Sequence, residues 1–159
     1  MMSFNKDLIT IGDKNKAKLF MIWFHGYGSN NWSFEPMLKL VNMNVNDDMY
    51  IVMPNAKMID NKRSWYPLPT TTNDNSEVHE DFAGFKAAMS EIVEFMVQVG
   101  IKSESKLLVG GFSQGAALSL GLCFQKEIDI SGCIALSGYM PCAKEFMSND
   151  IRCKKIFMS

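Results

Sequence analysis

Five residues in the middle of the chain, Gly111-Phe112-Ser113-Gln114-Gly115, read G-x-S-x-G. A serine flanked in this way can sit on a strained strand-to-helix turn that presents its hydroxyl. Glycines two before and two after it leave room where a Cβ would clash. A helix beginning at Gln114 would aim backbone N–H groups and its positive end at the same point. That combination suits a nucleophile whose attack generates a tetrahedral oxyanion. The apolar residues before the motif and the apolar segment after it favour Ser113 as nucleophile. The competing reading is a Gly-rich turn packed for shape, with Ser113 merely hydrogen-bonded.

A second turn, His25-Gly26-Tyr27-Gly28, can supply the other half of such a site. An oxyanion hole takes one N–H from the residue after the nucleophile and one from the loop after a neighbouring strand. Gln114 and Tyr27 stand at those two places. His25 can be read as a base or as a brace for its own turn, and the brace is favoured. His79 is expected on the polar side of a helix near Lys86 and Ser90, in solvent.

The elements that must carry these turns alternate along the chain. Residues 18–24 form an apolar run ending at His25-Gly26 and read as a buried strand. Leu8 to Ile11, with the turn Gly12–Asn15, is expected as a short edge strand hairpinned onto it. Phe34, Met37, Leu38 and Val41 mark one helix, with Pro36 in its first turn. Tyr50 to Met53 is a strand stopped by Pro54, and residues 54–76 read as a long loop. Val78, Phe82, Phe85, Met89, Ile92 and Met96 mark a helix over about 77–99, ended by Gly100. Lys106 to Phe112 is a buried strand, 114–125 a buried helix, Gly132 to Leu136 a strand, and Lys155 to Met158 one more. Strand and helix in alternation predict an α/β fold with a doubly wound, mostly parallel sheet. In such sheets the ligand crevice lies beyond the carboxyl ends of the strands, where the winding reverses. Trp65, Tyr66 and Leu68 follow the second parallel strand in a Pro-bounded segment, so they are expected to reach that face and wall an acyl pocket. For Trp65 the competing reading is a plug that seals the loop onto the core.

The bulk composition narrows the class. The 159 residues are 47% hydrophobic and 21% charged, enough apolar material for one domain with its own core. Lys and Arg number 16 against 17 Asp and Glu, and Arg occurs only at Arg63 and Arg152. No basic field is available for nucleic acid. The uncharged stretch 107–125 approaches a spanning length, but Ser113, Gln114, Ser119 and the pair Gly110-Gly111 favour a strand, turn and buried helix over a membrane insertion. Cys123, Cys133, Cys142 and Cys153 form no C-x-x-C pair, so a metal site and a disulfide framework are not expected, and the thiols are read as free in a reducing compartment. Met1 to Lys18 has no apolar core of a signal peptide, which points to the cytoplasm. A flavodoxin-like nucleotide module would suit the winding but lacks G-x-G-x-x-G or a P-loop lysine. No cofactor is expected.

Five landmarks now stand in order: Phe24-His25-Gly26-Tyr27-Gly28-Ser29-Asn30, Pro54-Asn55-Ala56, Arg63-Ser64-Trp65-Tyr66-Pro67-Leu68, Gly111 to Gly115, and Leu136-Ser137-Gly138-Tyr139. Together they resemble the phospholipase/carboxylesterase and acyl-protein thioesterase group of α/β-hydrolases over nearly the whole chain. The H-G-Y-G-S-N and R-x-W-[FY]-P-L forms look like its bacterial branch. The resemblance implies an α/β-hydrolase fold and a cytosolic serine hydrolase of acyl esters, thioesters or lysophospholipids. In the family the serine is followed by an Asp after H-G, beyond the next strand, and then by a His. Here the chain ends at Ile156-Phe157-Met158-Ser159, and Asp129 and Asp150 match no family position. The expectation is therefore a single domain over 1–159 that lacks its last strands and helices together with the Asp and His. Such a chain is expected to hydrolyse esters poorly alone and to self-associate through the bare sheet edge at Lys155–Met158. The alternative function is a non-catalytic remnant or split-gene fragment that binds acyl groups or a partner chain.

Overall fold

The computed structural model describes residues 7–71, 77–101, 106–147 and 149–159. In chain order the elements are β1 (Ile9–Ile11), β2 (Leu19–Phe24), a 3-10 turn (Asn31–Phe34), α1 (Glu35–Asn44), β3 (Met49–Met53), β4 (Lys57–Ile59), β5 (Lys62–Ser64), β6 (Thr70–Thr71) and β7 (Val78–His79). Then come α2 (Phe82–Gln98), β8 (Leu107–Phe112), α3 (Gln114–Leu122), β9 (Gly132–Leu136), α4 (Ala143–Phe146) and β10 (Ile156–Met158). Six strands form the main sheet in the order β1-β3-β2-β8-β9-β10. All its pairings are parallel except that of β1 with β3.

Side chains alternate across each strand, so the sheet has two apolar faces. Met21 and Trp23 of β2 lie on one face with Met49, Ile51 and Met53 of β3 and Leu38 of α1. Ile22 and Phe24 lie on the other with Val52, Val109 and the buried residues of α2 and α3. The chain leaves β2 for β3 on one side and returns through α2 to β8 on the other. The winding therefore reverses between β2 and β8, where Phe24 stands in register with Gly111. Both turns singled out in the sequence leave the sheet at this switch point, the place where open α/β sheets form their crevice.

Several elements differ from the expectation. Strand β1 does not form a hairpin with β2; it pairs with the outer edge of β3, with Thr10 opposite Val52. Both edges of β2 are already taken, by β3 and β8, so the first strand has only the far side of β3 to join. The long loop after β3 is largely ordered into the antiparallel pairs β4–β5 and β6–β7, and its residues 72–76 lie outside the described ones. Val78 and His79 are in β7, not in a helix. The helix begins at Phe82 because the Asp81 carboxylate accepts a hydrogen bond from Gly84 N–H at 2.9 Å, capping the first turn. Gly100, at φ +78°, ends the helical segment as expected.

Helix α1 also turns a different residue inward. Leu38 and Asn42 are buried, and Val41 is exposed. Asn42 Oδ1 accepts from Met49 N–H at 3.0 Å, while its backbone carbonyl accepts from Val45 and Asp47. A polar residue takes the core position because it satisfies the first amide of β3, which would otherwise be buried without a partner. Strand β10 pairs with β9 as expected, with Phe157 beside Ile134, and all three of its residues are exposed. Replacing Asn42 with Ala is expected to cost about 1–3 kcal/mol, the usual penalty for an orphaned buried donor. Val41→Ala is expected to change stability by less than about 0.5 kcal/mol. Urea unfolding of the two variants checks the assignment, and comparable losses would contradict it.

Candidate active site

Ser113 is the residue between β8 and α3, at φ +52° and ψ −114°. A non-glycine residue in this region is strained, and it persists only where its surroundings over-determine it. Three contacts do so. Ser113 N–H donates to the Leu136 carbonyl at 2.9 Å, and the Ser113 carbonyl accepts from Ala117 N–H at 3.0 Å. The third is the close approach of α3 to β2. A Cβ on Gly111 would lie 2.6 Å from the Phe24 carbonyl oxygen, and one on Gly115 would lie 2.7 Å from that of His25. Both neighbours are backbone, so neither glycine can be replaced without moving the turn. Serine at a helix N-cap ordinarily spends its hydroxyl on the first-turn amides. Here, among the described residues, Ser113 makes no such side-chain bond.

The second turn lies directly against the first. A Cβ on Gly26 would meet the Phe112 ring at 3.2 Å and the Ser113 Cβ at 3.6 Å. Tyr27, the next residue, is exposed, and Lys62 Nζ stands 5.6 Å from the centre of its ring. Beyond it the turn is fixed by Gly28 N–H donating to the Arg63 carbonyl at 2.8 Å and Ser29 N–H donating to Gly26 at 3.1 Å. Among the described residues, neither Tyr27 N–H nor Gln114 N–H donates to a backbone carbonyl. Gln114 N–H also belongs to the first turn of α3, whose amides have no partner within the helix.

His25 is a brace. It is buried, its Nδ1 lies 2.8 Å from the Gly26 carbonyl, and its Nε2 accepts from Ala56 N–H at 3.0 Å. The second bond requires an unprotonated Nε2, so the proton sits on Nδ1. Burial holds the imidazole pKa below its ordinary value, the nearby Arg63 charge adds to this, and the contact with Gly26 opposes it. With both nitrogens engaged, the ring has no lone pair to offer Ser113. The His25 carbonyl in turn accepts from Trp65 Nε1 at 2.7 Å. His79 is exposed in β7, 3.7 Å from the Glu77 carboxylate, rather than on the α2 surface near Lys86 and Ser90.

Of the three residues expected to wall a pocket, Trp65 is packed as the plug, edge-on to Phe24 at 5.1 Å and beside His25 at 5.0 Å. Tyr66 is also buried, edge-on to Phe85 at 4.8 Å, and shares the lining of one small cavity with Tyr139. Burial pushes the Tyr66 phenol well above its ordinary pKa. Leu68 is exposed. Tyr66 lines a small cavity with Pro67, Pro69 and Phe85. A neighbouring groove of about 500 Å³, which shares Glu80, Tyr139 and Cys142 with that cavity, adds Val78, Phe82 and Met140. Gly138, just before Tyr139, packs on the first turn of α3: a Cβ there would lie 2.6 Å from Ala116 Cβ.

Sequence reasoning did not foresee the Gln114 side chain. It is buried, with Oε1 accepting from Trp65 N–H at 3.0 Å and Nε2 donating to Ser64 Oγ and to the Tyr66 carbonyl, both at 2.9 Å. One carboxamide thus ties the Ser113 turn, the elbow between β8 and α3, to the end of β5 and the two residues after it. No local signal marks a residue whose partners lie about fifty positions away. The Glu80 carboxylate, which accepts from Cys142 N–H at 2.8 Å, was missed for the same reason.

Residues 5–159 match the sequence pattern of the Phospholipase/Carboxylesterase family. The chain belongs to that family. Among its relatives are acyl-protein thioesterase 1 of Candida albicans, 32% identical over 143 residues, and acyl-protein thioesterase 1 homolog 1 of Dictyostelium discoideum, 28% identical over 139. These alignments cover 82% of this chain and 61% and 62% of the relatives, so the chain spans about three fifths of their length. Similar solved structures bear out the α/β-hydrolase fold. Zea mays acyl-protein thioesterase 2 superposes with a TM-score of 0.69 at 21% identity, covering 87% of this chain and 64% of that one. The Bacillus cereus carboxylesterase gives 0.74 at 14%, covering 95% and 68%.

The His25 brace has a pH consequence for this family member. The folded-state pKa lies below the unfolded value, so both states are neutral well above pH 6.5, and there the bond to Ala56 contributes fully. As pH falls through 6.5, the unfolded chain takes up a proton that the native ring resists, and stability declines. Thermal unfolding between pH 7.5 and 5.5 is expected to show this decline. His25→Gln, which keeps an acceptor near the Nε2 position but cannot titrate, is expected to flatten it. An unchanged slope in that variant would contradict the assignment.

Proposed function

We propose that the protein is a serine hydrolase of acyl esters or thioesters, with Ser113 as nucleophile and the Tyr27 and Gln114 amides as oxyanion hole. The observation that carries this reading is the strained Ser113 turn held against Gly26, with its hydroxyl not spent on capping α3. Ser113 Oγ attacks the acyl carbonyl, and its proton passes to a base. The carbonyl oxygen becomes an oxyanion that the two amides stabilise, aided by the positive end of α3. Collapse expels the alcohol or thiol and leaves an acyl-serine, which water hydrolyses. Val78, Phe82 and Met140 in the groove beside Tyr139, with Leu68, are proposed to receive the acyl chain, while Trp65 and Tyr66 hold the loop that shapes it. Lysophospholipids carry acyl esters too and suit the same chemistry.

The base is the open element. His25 is committed to Ala56, His79 lies exposed in β7, and among the described residues neither histidine bonds to Ser113. A serine without an aligned base is a weak nucleophile at neutral pH. This observation favours a second reading, in which the chain binds acyl groups or a partner chain with little turnover of its own. Either reading suits a cytoplasmic protein, and among the described residues no helix is long and apolar enough to cross a membrane.

A fluorophosphonate probe tests the nucleophile. Slow labelling confined to Ser113 is expected, accelerating as pH rises and abolished in Ser113→Ala. A peptide map showing the adduct on another serine, with Ser113 unlabelled, would overturn the assignment. Hydrolysis of p-nitrophenyl acetate separates the two readings. A rate that disappears with Ser113→Ala supports catalysis by this chain, and no Ser113-dependent rate supports binding alone.

A further inference from the structure

Three of the four cysteines converge on one place at the far end of α3 from Ser113. Cys123 follows the last turn of that helix and is buried, with its Sγ 3.3 Å from the Ser119 carbonyl. Cys133 is buried on β9, opposite Ile156 of β10. Cys153 lies in the segment that leads into β10 and is half-buried against the same core. Two backbone bonds hold that segment in place: Arg152 N–H donates to the Cys123 carbonyl at 2.8 Å, and Cys133 N–H donates to the Lys155 carbonyl at 2.8 Å. The Cys153 thiol points back to the same Lys155 carbonyl, at 3.2 Å. Chain segments thirty residues apart thus bring Cys153 against the core that holds Cys123 and Cys133, so that the Cys123 thiol has both the Cys133 and the Cys153 thiols as neighbours. Cys142 lies elsewhere, with its amide on Glu80.

We propose that Cys123 and Cys153 form an oxidation-sensitive dithiol, a modification site that closes to an intramolecular disulfide with hydrogen peroxide and fastens the segment leading into β10 to the end of α3. Cys153, the accessible member, reacts first. Its thiolate sulfur takes one peroxide oxygen, giving a sulfenic acid and, after proton transfer, one water. The Cys123 sulfur then attacks the Cys153 sulfur. The S–S bond forms, the S–O bond breaks, and the departing hydroxide leaves as a second water with the Cys123 proton. Two thiols and one peroxide become one disulfide and two waters. Burial raises the Cys153 thiol above its ordinary pKa, so the reaction is slow at neutral pH and quickens as pH rises. The loop closed spans 30 residues in sequence, and the Arg152–Cys123 backbone bond holds its two ends near each other.

The test is a thiol count on the full chain. After peroxide treatment and quenching in denaturant, two of the four thiols are expected to be lost, with a Cys123–Cys153 linked peptide found by mass spectrometry and released by dithiothreitol. Cys153→Ser is expected to keep all three remaining thiols under the same treatment, and Cys142→Ser to lose two of its three. Four thiols retained at peroxide levels that oxidise a free cysteine peptide would overturn the proposal. So would a link from Cys123 to Cys133, a link between chains, or a sulfinic acid on Cys153 without any link. The peptide map of the unsubstituted chain decides the matter even where a variant fails to fold.

Discussion

The absence of two Cβ atoms is the constraint on which the functional end of this molecule depends. Gly111 and Gly115 let the first turn of α3 lie against the backbone at the end of β2, with only carbonyl groups between them. That contact holds Ser113 in a conformation an L-residue rarely adopts. It also brings the turn after β2 against the turn after β8, so that Gly26 meets Ser113. With side chains in place of these glycines the two strands could still pair, but the helix would stand off and the two turns would part. The stored strain is tolerated because the sheet, the helix and the Leu136 carbonyl all hold the same residue.

Around that contact the polar groups are arranged to leave few unmet needs. His25 accepts the Ala56 amide and presents its carbonyl to Trp65, while Gln114 takes the Trp65 amide and serves Ser64 and Tyr66. The two networks meet at Trp65, which fills the space under the turn with apolar surface. Such networks are worth having in a low-dielectric interior only when every member is satisfied, because a lost partner leaves a desolvated group behind. The loop after β3 therefore belongs to the architecture of the elbow, as the support on which its geometry rests.

Much of this was legible in the sequence, but unevenly. The parallel strands and the long apolar helix show in the hydrophobic periodicity because burial on both faces of a sheet leaves few choices of residue. The apolar stripe runs back to Val78 and so sets the start of α2 too early, inside what is a strand, although Asp81 carries a usable capping signal. Periodicity alone places Val41 in the core because it carries no trace of Met49 N–H needing an acceptor, which Asn42 supplies.

The sequence by itself determined the class of fold and the place of the turn at Ser113, since both follow from short-range spacing around glycines and apolar runs, and it favoured the brace over the base for His25. Tertiary structure alone decided that β1 joins β3, that Gln114 clamps the Ser64–Tyr66 segment, and that the chain before β10 returns to Cys123. Each of these depends on which edges and surfaces remain free once the sheet is assembled. Such contacts join residues about thirty to fifty positions apart, over distances at which local propensity carries no information.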